Sequence, residues 1–521
     1  MLARVSSGSS RHVLATGLAA ALVMSAATPD FDEVWRWDGW SSSDERAWDG
    51  AVDSDGNVVL VGSQGFAFTE EDVLDEYAGD FAAVKLEGAS GEVLWTWTNS
   101  SLGSFHDLFL GVDTDSNNDI VMGGRTYGYW SSSNPDTVLH LAAVKLDGST
   151  GDEIWRYQEH PAGSYTSSGD FDQGFGAVTG VAIDGDDNCL LVGQTYGSLV
   201  YGEGDHGDSD FFVIKLDGTD GREIWTVQGG ESTSFDNLVH VKADSAGDLI
   251  AVGIGGDADA INVVVVKFSG TDGAVLWEYS PVTSFTHDVP DSVDVDTQDD
   301  VYVGGSYDAL SLHADIAETP VVLKLDGATG DVVWTYEGVA TSRAGFYSVA
   351  VDPTTGWVVG AGWTEGTWVT GAAQGGYDFA AVVLDGVTGD ELGRYQDGTT
   401  DDDHLKFAGF DAVGGLIVGG LWTDTGGDEF VAIKFAPWNS GYSTTTGAGT
   451  EALADWEIGA IAGAGALLLL LLGLCLFWFR HKRPEGPQGA AKAGSSRSLP
   501  AENFGGPSVR GEVLQPRPLV K

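Results

Sequence analysis

Carboxylates recur in pairs through this chain: Asp53 and Asp55, Asp113 and Asp115, Asp184 and Asp186, Asp244 and Asp248, Asp294 and Asp296. An Asp-x-Asp-x-Asn/Asp spacing can bring hard oxygen ligands around one Ca²⁺. The fullest versions are Asp113, Asp115 and Asp119, and Asp184, Asp186 and Asn188. Neither meets the EF-hand requirement for Gly at the sixth and Glu at the twelfth position, so both sets are partial. Asp, Asn and Gly also build tight turns in their own right. Turn chemistry is the preferred reading, with Ca²⁺ as the possible cofactor.

Lysines form a second column: Lys85, Lys145, Lys215, Lys267, Lys324 and Lys434. They would make either a ring of cationic sites or partners for nearby aspartates, and in so acidic a chain neutralisation is the expectation. Acids and histidines form a third set at Asp49, His106-Asp107, Asp236, His287-Asp288 and Asp403-His404. These could ring a channel mouth or cap strand ends, and capping is preferred. There is no Ser/His/Asp order in context, no HExxH, no phosphate-binding glycine loop before a helix and no vicinal cysteines. The expectation is a protein without catalytic residues. Asn99-Ser100-Ser101 is a sequon, which makes Asn99 the expected glycosylation site.

The elements that must position these residues repeat. DFAAVKLEGASGEVLWTW begins at Asp80 and HLAAVKLDGSTGDEIWRY at His140, with further copies from Asp210, Asn262, Thr319 and Asp378. The copy at Asp378 has Val383 for the Lys and Gly393 for the Trp, and a seventh copy from Glu429 stops after EFVAIKF. Ahead of each lies another hairpin, such as AVDSDGNVVLVGS from Ala51. One unit is therefore four short strands, A to D, with tight A–B and C–D turns. Trp landmarks at 35, 95, 155, 225, 277 and 334 give unit lengths of 52 to 70 residues. Four strands in about 50 residues signify a propeller blade.

The seventh copy lacks strand D, while residues 33–37 (EVWRW) match a D strand with no partners of its own. The expected fold is therefore all-β: a seven-bladed propeller over residues 28–436, closed by the N-terminal strand. Closure also removes a free sheet edge.

The run VDSDGNVVLVGS followed by DFAAVKL resembles the SBBP-type β-propeller repeat family. The segment Leu146 to Gly151 leading to Trp155 is similar to the tryptophan-docking motif of quinoprotein propellers. The resemblance covers roughly residues 31–436 and implies the fold. It assigns no activity, because such repeats serve many roles.

Outside the repeats, residues 1–27 read as a signal peptide, with Arg4, Arg11 and His12 before the apolar run Val13 to Met24. Residues 437–457 read as a Ser/Thr/Gly linker. Ile458 to Phe479 is uncharged and, at about 1.5 Å per residue, long enough to cross a bilayer as a helix. Arg480, His481, Lys482 and Arg483 follow, which predicts a single-pass type I protein with a disordered cytosolic tail over 480–521. Gly459 and Gly463 form a GxxxG pair that would serve a helix-mediated dimer.

Of 25 Lys/Arg and 78 Asp/Glu, the signal holds two basic residues and the tail eight basic and three acidic. The ectodomain is left with 15 basic and 75 acidic residues, a field that excludes nucleic acid as a partner. With Cys189 in the ectodomain and Cys475 in the apolar run, no disulfide staples the propeller. The B–C and D–A connections share one face and hold all the long loops, among them Glu159–Phe175 and Glu365–Tyr377. The expected function is non-enzymatic extracellular recognition or adhesion at the plasma membrane through this long-loop face. Its partner would be a protein or polysaccharide. The alternatives are an acidic, cation-organising coat protein and a quinoprotein-like enzyme.

Overall fold

The computed structural model describes residues 31–438 except 40–43, 67–78, 100–106, 128–138, 162–175, 201–208, 231–235, 258–259, 282–287, 308–317, 339–342, 371, 373–374 and 425–426. The predicted signal peptide, most of the linker, the apolar segment 458–479 with Gly459 and Gly463, Cys475 and the tail lie outside the described residues. Among the described residues no helix is long and apolar enough to cross a membrane.

Every regular element described is a strand, and the strands form seven four-stranded antiparallel sheets. Blade 1 is Asp44–Val52, Val58–Phe66, Asp80–Leu86 and Val93–Asn99. Strand A of blades 2 to 7 is Leu108–Thr114, Gly176–Ile183, Asn237–Ala243, Val289–Val295, Ala344–Val351 and His404–Phe410. Blade 7 continues with Leu416–Asp424 and Gly427–Phe435, and its fourth strand is Glu33–Asp38 from the other end of the chain. Each strand A touches the strand A of both neighbours, and blade 7 meets blade 1, so the ring is closed. The predicted seven-bladed propeller and its closure by the N-terminal strand are what the structure shows.

Burial follows from this layering. Strands B and C are covered on both faces by neighbouring blades, so they read as continuous apolar runs; Leu139–Leu146 is buried at every residue. Strand D is outermost and alternates, as in Val93–Asn99. Apolar residues from adjacent blades make seven cores, one per junction.

The lysine and tryptophan columns are parts of one joint. Lys85 stands directly opposite Trp95 across the C–D pairing, and Lys145, Lys215, Lys267, Lys324 and Lys434 stand opposite Trp155, Trp225, Trp277, Trp334 and Trp35. Both side chains reach the C–D turn of the next blade. Lys85 Nζ and Trp95 Nε1 donate to the Gly148 carbonyl at 2.8 and 3.2 Å, and Lys434 and Trp35 close the circle on Gly88. Each indole lies against the glycine that ends that turn. At Gly151, φ is +73° and a Cβ would sit 3.1 Å from the Trp95 ring, so the position excludes side chains on two counts.

Blade 6 departs from the pattern because blade 7 has no C–D turn: its strand D comes from the N-terminus. A Trp in blade 6 would have nothing to dock on, and Val383 and Gly393, which pair with each other, occupy the two positions. The gap is filled from the termini. Trp438 lies 5.4 Å from Trp357 and 5.7 Å from Phe410, and Phe31 lies 5.1 Å from Tyr395.

Candidate functional site

Of the predicted metal residues, Asp113 is turned away from Asp115 by the strand that carries both, whereas Asp115 and Asp119 share one A–B hairpin and Asp184, Asp186 and Asn188 another. Asp113 points toward the ring axis: its Oδ2 accepts the Ile183 N–H of the next blade and lies 3.9 Å from Lys242 Nζ. Asp115, two residues on, turns into the A–B hairpin. Its Oδ2 pairs with Lys145 at 2.6 Å, and its Oδ1 accepts the N–H groups of Asn117 and Asp119. Asp119 accepts the Gly148 N–H.

In blade 3 Asp184 pairs with Lys215 at 2.7 Å and accepts the N–H groups of Asp186 and Asn188, while Asp186 itself is exposed. Lys85 with Asp53, Lys267 with Asp244 and Lys434 with Asp411 repeat this geometry at 2.6–2.8 Å, whereas in blade 5 Lys324 pairs at 2.9 Å with Asp300 and lies 3.6 Å from Asp296, the equivalent carboxylate. The lysines thus neutralise turn carboxylates, as the acidic composition led us to expect. In blade 6, without the Lys, Asp352 takes the hydroxyls of Thr354 and Thr355 instead. Among the described residues no group of three or more His, Cys, Asp and Glu is arranged to hold a metal ion.

Strand A carries one extra residue in every blade. The register with strand B slips at Trp48, Leu110, Thr179, Val239, Asp291, Tyr347 and Lys406, so seven bulges lie at one level around the axis. A bulge re-aims side chains and is common beside functional sites. Just beyond it, side chains reach the next blade's inner backbone edge: Asp49 accepts the Val112 N–H, Ser292 that of Val349, and Ser348 that of Ala408. These contacts satisfy N–H groups that no fifth strand can pair.

Asp49, Asp113 and Asp294 surround Lys242 in a channel cavity of ≈250 Å³ that His240 and Ser292 also line. Burial lifts Asp49 to about 7, and the three carboxylates hold Lys242 above its ordinary value. Burial, with Lys242 nearby, lowers His240 to about 3.

Toward the long-loop face the channel opens on an aromatic mouth. Lys406 Nζ is 3.3 Å from the Tyr347 ring centroid and 5.6 Å from that of Trp48, joining blades 6, 7 and 1. His404 lies 5.4 Å from Tyr377 and 5.9 Å from Tyr347, and Tyr377 meets Trp363 edge-on at 4.7 Å. Arg343 stands over Trp363 and pairs with Glu318 at 2.9 Å. Burial pushes Asp291 up to about 7 and Lys406 down to about 8, while each draws the other back toward its charged form. An aromatic platform beside groups that titrate near neutrality can stack a flat-faced ligand and exchange a proton with it.

Of the third residue set, His404 reaches this mouth and Asp49 the channel. Asp107 and Asp403 cap strand ends, accepting from Thr126 Oγ1 and the Thr423 N–H respectively. Asp236 immediately precedes strand A of blade 4, its N–H bonded to the Ser209 carbonyl, and Asp288 is buried at the blade 4–5 junction. His106 and His287 lie outside the described residues. Asn99 is the last residue of strand D in blade 1 and is partly exposed; Ser100 and Ser101 are not described.

Tyr347 and Lys406 escaped the sequence reading, because a bulge has no residue-type signature; Trp363 and Arg343, which are not at bulges, were not singled out either, while Tyr377 ends a loop that was expected to bind. Two long loops are stapled at their stems by glutamines that also went unnoticed. Gln228 binds Leu199 and Gly197, and Gln396 binds Trp368, Val369 and Gly366.

No family model matches this chain, and no curated protein does. Solved structures are similar to this chain only at a low level. A quinohemoprotein alcohol dehydrogenase from Comamonas testosteroni is 12% identical, with 82% of this chain and 79% of that one covered, at a TM-score of 0.42. A protein from Lactobacillus plantarum is 14% identical over 69% and 86% of the two chains, at 0.41. Sqt1 from Chaetomium thermophilum is 13% identical over 75% and 82%, at 0.40. Likeness at this level carries no argument about activity.

Proposed function

We propose that this chain is a single-pass, type I cell-surface protein whose propeller recognises an extracellular polysaccharide or protein through its long-loop face, without catalysis. The observation that carries the reading is the channel mouth formed by Trp363, Tyr377, His404, Tyr347 and Lys406. Aromatic faces bury the flat side of a sugar ring or an aromatic side chain. Arg343 and Lys406 place two of the ectodomain's few cations at that one mouth. Variable loops on a rigid scaffold around such a mouth are a common way to build specificity. The signal-like N-terminus and the apolar segment 458–479 motivate the topology.

The full-length chain, solubilised in detergent, would be applied to arrays of acidic and neutral polysaccharides and surface proteins, with Ca²⁺ or with chelator. Saturable binding that falls at least about tenfold in Trp363→Ala and Tyr377→Ala supports recognition at the mouth. Binding untouched by both variants moves the site elsewhere, and a blank array favours the coat-protein alternative. Loss on chelation alone would return Ca²⁺ to the turn aspartates, Asp186 and Asp119 first. Protease added outside intact cells should remove the propeller and spare the tail; a protected propeller sinks the topology.

A further inference from the structure

Six of the seven interblade cores contain at least one buried aromatic ring. At the blade 1–2 junction Phe81 and Phe109 stack with centroids 4.2 Å apart. At the blade 5–6 junction, where Pro320 replaces the strand-C aromatic, Trp368 folds in from its loop against Phe346. Among the described residues the blade 4–5 core contains only Val, Ile and Leu as buried members, with Trp277 and Tyr279 partly buried against it. Val263 and Pro290 hold the positions that Phe81 and Phe109 fill in the first junction.

The missing volume is present as a cavity of ≈300 Å³ between blades 4 and 5. That is about twice the roughly 150 Å³ in which an apolar protein cavity takes up benzene. Val263, Pro290 and Leu323 supply apolar wall, and the polar groups gather at one end. Asp288 and Val289 at strand A's start and Tyr279 at strand D's end place the polar end toward the long-loop face. Asp288 is 4% exposed and lines the cavity together with Tyr279 and Tyr307. Burial raises both phenols, Tyr307 to about 12, and the Asp288 charge adds to the effect. The phenols therefore stay neutral, and Asp288 is the acidic group that lines this end of the cavity.

We propose that the blade 4–5 cavity binds a small aromatic ammonium compound, its ring between the blades and its nitrogen at Asp288 beside the two tyrosines. Ring burial, attraction to a carboxylate and cation–π contact with phenols act together on that class. The strongly acidic ectodomain enriches cations and repels anions at its entrance. This inference does not rest on the channel-mouth reading, and the two sites lie at different places on the face.

The test is titration calorimetry of the full-length chain in detergent with 2-phenylethylammonium, 2-phenylethanol and 3-phenylpropionate. The ammonium should bind saturably, with 3-phenylpropionate at least about tenfold weaker. Val263→Phe fills the cavity and should abolish binding with Tm unchanged or raised; Leu323→Phe serves if that variant does not fold. Asp288→Asn should bring the ammonium down to the affinity of the alcohol. No saturation by about 10 mM ammonium, equal binding of the anion, or full binding by a folded cavity-filling variant would each overturn the proposal.

Discussion

Buried ion pairs dominate the chemistry at single residues. Lys145 and Asp115 are both nearly inaccessible and lie 2.6 Å apart. Lys145→Met leaves a carboxylate buried without its cation and should cost about 3–5 kcal/mol. Adding Asp115→Asn should recover more than half of that in urea denaturation of the full chain. If the double variant is no better than the single one, the carbonyl bond to Gly218 carries the stability and the ion pair does not.

His240 gives a pH prediction. Its folded value of about 3 lies below the ordinary 6.5, so protonation opposes the folded state. The stability present above pH 6.5 is lost as pH falls toward 3. Relative to wild type, His240→Gln should gain on the order of 2 kcal/mol at pH 4 and nothing at pH 8. A pH-independent difference removes the histidine from that role. The lysine–aspartate pairs were legible from spacing, since Lys sits in strand C and Asp at the end of strand A in every copy but the one from Asp378, where Val383 replaces the Lys. The channel mouth was not, because a one-residue register slip decides that Tyr347 and Lys406 share a level around the axis.

The blade-to-blade joint is the unit that repeats, and its glycines are as necessary as its tryptophans. Gly151→Ala adds a methyl at φ +73° against the Trp95 ring and should cost about 2 kcal/mol or more, although it lies in a surface turn. Gly393→Trp restores the repeat in blade 6 yet should leave Tm unchanged or lower, because no turn faces it. A clear stabilisation there would show that the indole contributes without its docking turn. The sequence displayed both departures of blade 6 openly. It did not display their common cause, which appears only when Val383 and Gly393 are seen to pair and to face the one blade built from two ends of the chain.

For the molecule as a whole, the number of blades and the manner of closure could be read from counting copies, because a missing strand at one end matched a spare strand at the other. The ligand-sized features could not. The blade 4–5 cavity arises from two modest residues, Val263 and Pro290, whose effect depends on what stands across the junction. Deleting residues 33–38 should leave the backbone edge of Gly427–Phe435 unpaired and produce dimers or larger species by size-exclusion chromatography. A monodisperse, equally stable deletion product would show that closure is dispensable.

Drawing the last blade's outer strand from the start of the chain also sets a timetable. Residues 33–38 emerge from the ribosome before the other strands of the propeller, but their partner strand ends at residue 435. At about 5–20 residues per second the strand waits roughly 20–80 seconds for its place. Once that seat is made, an identical strand still waiting on a neighbouring nascent chain competes for it. The ring is therefore most exposed to exchange between copies while it is being made, and dense polysomes are where misassembled pairs should first be found.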